Sequence, residues 1–279
     1  MILRRIFSFL LRPAAPVVAV LRLHGVIGRA GPLRSGLTLR NLAEPIERAF
    51  SLGHLKAVAV SINSPGGSPV QSALIAGRVR ALAREKNLPV FSFVEDVAAS
   101  GGYWLACAAD EIFADTNSII GSIGVVSAGF GFPEALKKLG IERRIYAEGQ
   151  NKAILDPFKP EDADEVERLK LLQRDVHQSF KDHVRDRRGK RLKGDDETLF
   201  NGDIWTGGRA LDLGLVDGIG DMRAVLRERF GDKVRLRVIS APKRWLRRKL
   251  GLAAFGTDEL VLNLFEALET RALWSRYGL

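Results

Sequence analysis

The chain has 279 residues, 46% of them hydrophobic and 27% charged, and carries a formal net charge of +10. That composition belongs to an ordinary globular protein, long enough for one large domain or two small ones. A single cysteine, Cys107, excludes an internal disulfide and reads as a small core residue. The four histidines are scattered, and none has the spacing that presents metal ligands on one helix face, so no metal site is expected.

Residues 1–16 read as a basic-apolar leader. Its apolar run lies between Arg5 and Arg12 and is far shorter than the roughly 20 residues needed to span a bilayer. It is also shorter than an ordinary signal-peptide core. Val17–Leu23 is a β-branched first strand, followed by a turn-rich stretch from Gly25 to Gly36. Leu37–Leu52 has helical spacing despite Pro45, and Leu55–Ile62 is the apolar run of a strand buried in a parallel sheet. The loop Asn63-Ser64-Pro65-Gly66-Gly67 leads into a helix from Pro69 to Glu85. Pro89–Val94 is another buried strand, ending in a small-residue turn around Ser100 and an apolar helix, Tyr103 to Ala109. Short strands are expected at Glu111–Ala114 and Gly124–Ser127, a helix at Pro133–Leu139, a strand at Ile141–Ala147 and a long charged helix at Glu161–Arg188. A helix at Asp221–Phe230 and a strand at Lys233–Ile239 close the pattern. Strands alternating with helices indicate an α/β fold with right-handed crossovers.

Chemistry concentrates in the two glycine-rich loops that follow buried strands. Ligands of open α/β sheets bind beyond the carboxyl ends of the strands, so both loops should face one crevice. In Ala98-Ala99-Ser100-Gly101-Gly102 the turn places a hydroxyl at a helix N-terminus, where amide donors favour developing negative charge. A nucleophile is one assignment for Ser100, and a helix N-cap is the other. Gly66-Gly67 offers amides unobstructed by side chains, as an oxyanion hole requires, although a plain Pro-Gly-Gly turn fits equally well. A serine nucleophile needs a base. His24 is the one histidine near a strand end, and the segment after it supplies no carboxylate to orient it. Lys152 is the other candidate. A lysine base works only when neutral, so its pKa must fall from about 10.4 toward about 7–8; burial beside Ala153-Ile154-Leu155 is compatible with that. On its own pattern Lys152 also reads as an ordinary surface lysine.

Five stretches, in order, resemble the signal peptide peptidase A family: Ile62-Asn-Ser-Pro-Gly-Gly67, Ala98-Ala-Ser-Gly-Gly-Tyr103, Gly121-Ser-Ile-Gly-Val125, Gly149-Gln-Asn-Lys152 and Leu213-Gly-Leu-Val-Asp217. The resemblance covers about Val17 to Gly220. It implies a Clp-protease/crotonase-like fold built from ββα units and a serine peptidase with a Ser-Lys dyad. Ser100 would then be the nucleophile and Lys152 the general base, with Gly67 and Gly101 as oxyanion donors. Ser122, otherwise a turn serine, would orient the lysine ammonium. In single-repeat members the serine and lysine of one site come from neighbouring protomers of a ring, and that arrangement is expected here.

The expected organisation is a leader (1–16), a peptidase domain (17–240) and a basic, helical C-terminal tail (241–279). The implied substrates are extended hydrophobic peptides such as remnant signal peptides, and no cofactor is implied. The basic segments 181–193 and 243–249 carry no nucleic-acid motif and read as solvated faces or contacts with anionic lipid. With no spanning segment in the sequence, the expected location is cytoplasmic or peripheral at the inner face of a bacterial membrane. Two other readings share the fold. A crotonase-like acyl-CoA enzyme would use an acid, Glu95 or Asp96 being nearest, and a non-catalytic scaffold would not need both Ser100 and Lys152.

Overall fold

The computed structural model describes residues 15–28, 36–149, 151–239 and 271–278. The expected leader and C-terminal tail lie outside these residues, apart from 15–16 and 271–278. So does the basic run 243–249.

The elements, in chain order, are β1 (Val17–His24), α1 (Leu39–Ala49), β2 (Leu55–Ser64), α2 (Pro69–Lys86), β3 (Val90–Ala99) and α3 (Gly101–Ala106). They continue with β4 (Glu111–Ala114), β5 (Ile119–Gly121), α4 (Pro133–Lys138) and α5 (Ala163–Arg188). The last group is α6 (Asp196–Leu199), β6 (Ile204–Thr206), α7 (Gly207–Asp212), β7 (Gly218–Ile219), α8 (Met222–Phe230) and β8 (Arg235–Ile239). Eight strands form one sheet with the order β6-β5-β3-β2-β1-β8, while β4 pairs with both β3 and β7. All pairings are parallel except β5 with β6. This is the expected α/β fold.

The apolar residues of β1–β3 divide by the two-residue period of a strand. Leu21, Leu23, Val58, Val60 and Ile62 face a large core under α1, α2 and α3. Val18, Val20, Ala57, Ala59, Phe91 and Phe93 face a smaller core closed by Val225 and Leu226 of α8. Cys107 is fully buried in the large core, and burial pushes its thiol up to about 11. It is the small core residue the sequence indicated.

β3 forks the sheet. Its first half, Phe91–Val94, pairs with β4, whereas Val97–Ala99 pairs with β5. The register against β2 slips over the same stretch, with Ile62 opposite Val94 but Ser64 opposite Ala98. The extra residues throw Glu95 and Asp96 out to solvent and turn the end of β3 toward the crevice, the usual work of a bulge.

Three expectations are corrected. The strand after β4 is Ile119–Gly121 rather than Gly124–Ser127, because Ile119 and Ile120 are the residues that find a partner along β3. Ile141–Ala147 forms no strand; its apolar residues have no sheet edge to pair with. The basic run 181–193 is only partly solvated. Arg188 is 2% exposed and bonded to Asp217 and the Gly214 carbonyl, while Arg187 donates to the carbonyls of Cys107 and Ala109.

Candidate active site

The two glycine-rich loops meet at the carboxyl ends of β2 and β3. A methyl group built on Gly66 would lie 2.8 Å from the Ser100 Cβ and 3.0 Å from the Gly101 nitrogen. One built on Gly101 would lie 3.4 Å from the Gly67 nitrogen and 2.5 Å from Ser72 Oγ. The loops therefore touch through backbone alone, which explains the small residues on both sides.

Residues Gly25–Ile27, just past β1, brace the first loop. Gly25 N–H donates to the Asn63 carbonyl and Ile27 N–H to the Gly66 carbonyl, both at 2.8 Å, and Ser68 N–H returns to Ile27 O at 2.9 Å. This pattern skips Gly67, whose φ of +140° and collision of any Cβ with the Ile27 carbonyl demand glycine. Among the described residues neither the Gly67 nor the Gly101 N–H has an acceptor. Two unspent donors beside a serine hydroxyl are the geometry an oxyanion hole needs.

Ser100 occupies the N-cap position of α3 with φ +52° and ψ −122°. Its N–H donates to the Gly121 carbonyl at 2.8 Å, and its own carbonyl accepts from Tyr103 and Trp104. The hydroxyl makes no capping bond. The residue sits at the cap, but its side chain is not used as one, and positive φ in a non-glycine residue is strain of the kind kept at functional turns.

Ser122 is its neighbour by register. Ala99 pairs with Gly121, so Ser100 and Ser122 stand side by side one residue beyond the paired ends. Ser122 also has φ +52°, and its N–H is held by the Asp203 carbonyl at 2.6 Å. A Cβ on Gly121 would strike the Trp205 ring at 2.6 Å. The antiparallel strand β6 thus clamps the Gly121 carbonyl that fixes Ser100. No element was expected at Ile204–Thr206, because three residues are too few to display a period.

Lys152 is not brought to Ser100. It lies in a turn closed by its own N–H onto the Gly149 carbonyl at 3.0 Å. Its ammonium is exposed and makes no hydrogen bond or ion pair among the described residues. The expected burial beside Ala153-Ile154-Leu155 is corrected: Leu155 is itself 38% exposed. From Gly124 to Ser179 no described residue is buried, although the span carries Phe130, Leu139, Ile141 and Tyr146, each more than half exposed. A cavity of about 1210 Å³ lies inside this arm beside Gly149 and Ala153, away from Ser100.

His24 does have a carboxylate, contrary to the sequence expectation, because Glu95 comes from β3 and not from the following turn. Glu95 Oε1 lies 3.4 Å from His24 Nε2, and the Ser61 hydroxyl contacts both at 2.5 and 2.6 Å. Both partners use the same imidazole nitrogen and Ser61 is 1% exposed, so the cluster cannot work as a relay in which one nitrogen serves the serine and the other the acid. No group of metal-ligating side chains occurs among the described residues.

The model of peptidase family S49 matches residues 82–233 of this chain, a span that contains Ser100, Ser122 and Lys152. A protein of Brucella abortus named as a Na(+)/H(+) antiporter NhaA is 51% identical over 100% of this chain, which spans 39% of that protein. The chloroplastic serine protease SPPA of Arabidopsis thaliana is 31% identical over 90% of the chain, again across 39% of its own length. Among solved structures, a membrane-bound stomatin-specific protease, determined as a point mutant in complex with a substrate peptide, superposes with a TM-score of 0.50. That superposition covers 85% of this chain and 99% of the other at 15% identity, a likeness of fold. Among the described residues no helix is long and apolar enough to cross a membrane.

Proposed function

The chain belongs to peptidase family S49, and on that premise we propose that it is a serine endopeptidase in which Ser100 attacks and Lys152 is the base. The observation that carries the reading is the convergence of the strained Ser100, its hydroxyl unspent, with the unspent amides of Gly67 and Gly101. Neutral Lys152 takes the hydroxyl proton as Oγ bonds to the scissile carbonyl carbon. The oxygen that becomes negative is received by the two amides, where each donor is worth about 10²–10³ in rate. The C–N bond then breaks, the leaving amine receives the proton from Lys152, and water repeats the sequence to free the acyl group. Ser122, adjacent to Ser100 by register, is the group that orients the ammonium. Because the base must be neutral, turnover rises toward alkaline pH.

Lys152 reaches Ser100 from a second copy of the chain. An arm without a buried residue, bearing exposed Phe130, Leu139 and Tyr146 together with an unpartnered ammonium, supports docking against another protomer. The substrates proposed are extended hydrophobic peptides, remnant signal peptides among them. The antiport named for the Brucella protein is not carried over, since the chain matches 39% of that protein.

The test is incubation with a fluorogenic hydrophobic peptide and a serine-directed phosphonate, followed by mapping of the adduct. Labelling of Ser100, with turnover lost in Ser100→Ala and in Lys152→Ala, is the expected result. An adduct elsewhere, or turnover unchanged in Ser100→Ala, overturns the assignment.

A further inference from the structure

Behind the nucleophile helix, between α2 and α5, lies a cavity of about 400 Å³ whose rim carries Arg80, Arg84 and Arg187 and whose floor includes Trp104 and His183. Its volume is within the range of small-ligand sites. The charges around it do not balance. Arg80 pairs with Asp110 at 2.7 Å, and Arg187 reaches the same carboxylate at 3.4 Å while capping the carbonyls beyond α3. The Arg84 guanidinium has no acceptor among the described residues. Burial holds the His183 imidazole below its ordinary range, more than the Trp104 carbonyl and Asp186 restore, so it adds no charge at neutral pH. The acids Asp175, Asp182 and Asp186 line a separate cavity that shares only Trp104 and His183 with this one. Three guanidiniums facing one carboxylate leave an excess of two positive charges.

The second observation is Gly77. It stands in the middle of α2 with an ordinary helical φ, and a Cβ placed on it would meet nothing within 4 Å. Neither backbone geometry nor packing calls for glycine there, and glycine inside a helix is destabilising relative to alanine. Gly77 opens onto the cavity, and Ala73, one turn earlier, is equally small. Gly77 is exposed at the lining of this cavity, so a bulky side chain there would compete with a ligand for the space.

We propose that this cavity is a binding site for a small phosphate-bearing ligand, separate from the Ser100 crevice. A phosphate monoester carries close to two negative charges near neutral pH and matches the surplus, and guanidinium forks pair with its oxygens in bidentate fashion. Arg84 supplies the free fork, Arg80 and Arg187 line the same space, and Gly77 leaves that space open. The proposal does not depend on the peptidase reading.

The test is calorimetric titration of the full chain with inorganic phosphate and with phenyl phosphate, alongside co-sedimentation with phosphatidylserine vesicles. Saturable one-site binding of the soluble phosphates is expected. Arg84→Ala should weaken it by about tenfold or more, the effect of losing a charge-assisted contact. Gly77→Leu should abolish it while the protein still melts cooperatively. Equal phosphate affinity in wild type and both variants overturns the proposal. Absence of soluble phosphate binding in the wild type also overturns it, including where vesicles bind wild type but not Arg84→Ala, since the arginines would then read a lipid surface.

Discussion

Ser100 holds a backbone conformation, φ +52° and ψ −122°, that an L-residue adopts at a cost of about 1–3 kcal/mol. Three backbone hydrogen bonds at its own N–H and carbonyl hold it there. Replacing it with glycine removes the strain and, with it, the hydroxyl. Ser100→Gly is therefore expected to raise unfolding stability by about 1 kcal/mol, after the extra backbone entropy of glycine is set against the relief. The same variant should lose peptide hydrolysis. Urea denaturation beside a turnover assay checks both, and a variant no more stable than wild type would mean that the turn carries no strain. At this scale the sequence was informative: glycines and alanines around Ser100 announced a tight approach, and Gly66 lies against it. Lys152 was legible only through family resemblance. Its neighbours Ala153 and Ile154 look like core residues, yet both are only half-buried in the protomer.

Between elements, the position of α3 depends on the far end of the chain. Tyr103 donates its hydroxyl to the Leu215 carbonyl at 2.7 Å, and Arg188 fixes the same loop through Gly214 and Asp217. Asp217 also accepts from the Ile112 amide at 2.7 Å, tying α5, β4 and the approach to β7 together. Burial alone would push the Asp217 carboxyl up, yet the Arg188 guanidinium and the Ile112 amide hold it below its ordinary value. A carboxyl with a lowered folded pKa contributes stability that is complete above its unfolded value, about 3.9, and fades as pH falls through the folded value. Asp217→Asn is expected to cost about 3–5 kcal/mol at pH 7, because it strands the buried Arg188. The gap from wild type should narrow below about pH 4. Denaturant melts of both proteins from pH 7 to pH 3 check this, and a gap independent of pH would assign the loss to packing. The long elements were readable because α2 and β1–β3 each display several periods of burial, and because α5 is a long charged run opened by an Asp162 cap. The short ones, β6 and β7, are held by partners distant in sequence, so nothing local predicts them. The misplaced strand at Gly124–Ser127 arose from β-branched valines that run into the exposed arm, where no strand edge waits.

For the molecule as a whole, the charge of +10 is less a surface property than the composition suggested. Arg187 and Arg188 turn inward onto carbonyls and Asp217, while exposed apolar side chains lie along the arm. On the proposed reading this distribution prepares the protomer to dock against another copy. Ser100→Ala and Lys152→Ala chains, each inactive alone, are expected to regain part of the wild-type turnover when refolded together, because some sites then receive an intact serine from one chain and an intact lysine from the other. Verified mixed assemblies without recovery would place both groups of a site on one chain. The pairing of β1 with β8 has its own consequence for biosynthesis. Within this domain β1 leaves the ribosome well before β8, and its outer edge is covered only when Arg235–Ile239 arrives. Until then the nascent domain exposes an unpaired apolar strand, open to pairing with other nascent chains. Synthesis halted before β8 would release a chain whose chief hazard is aggregation rather than loss of its active centre.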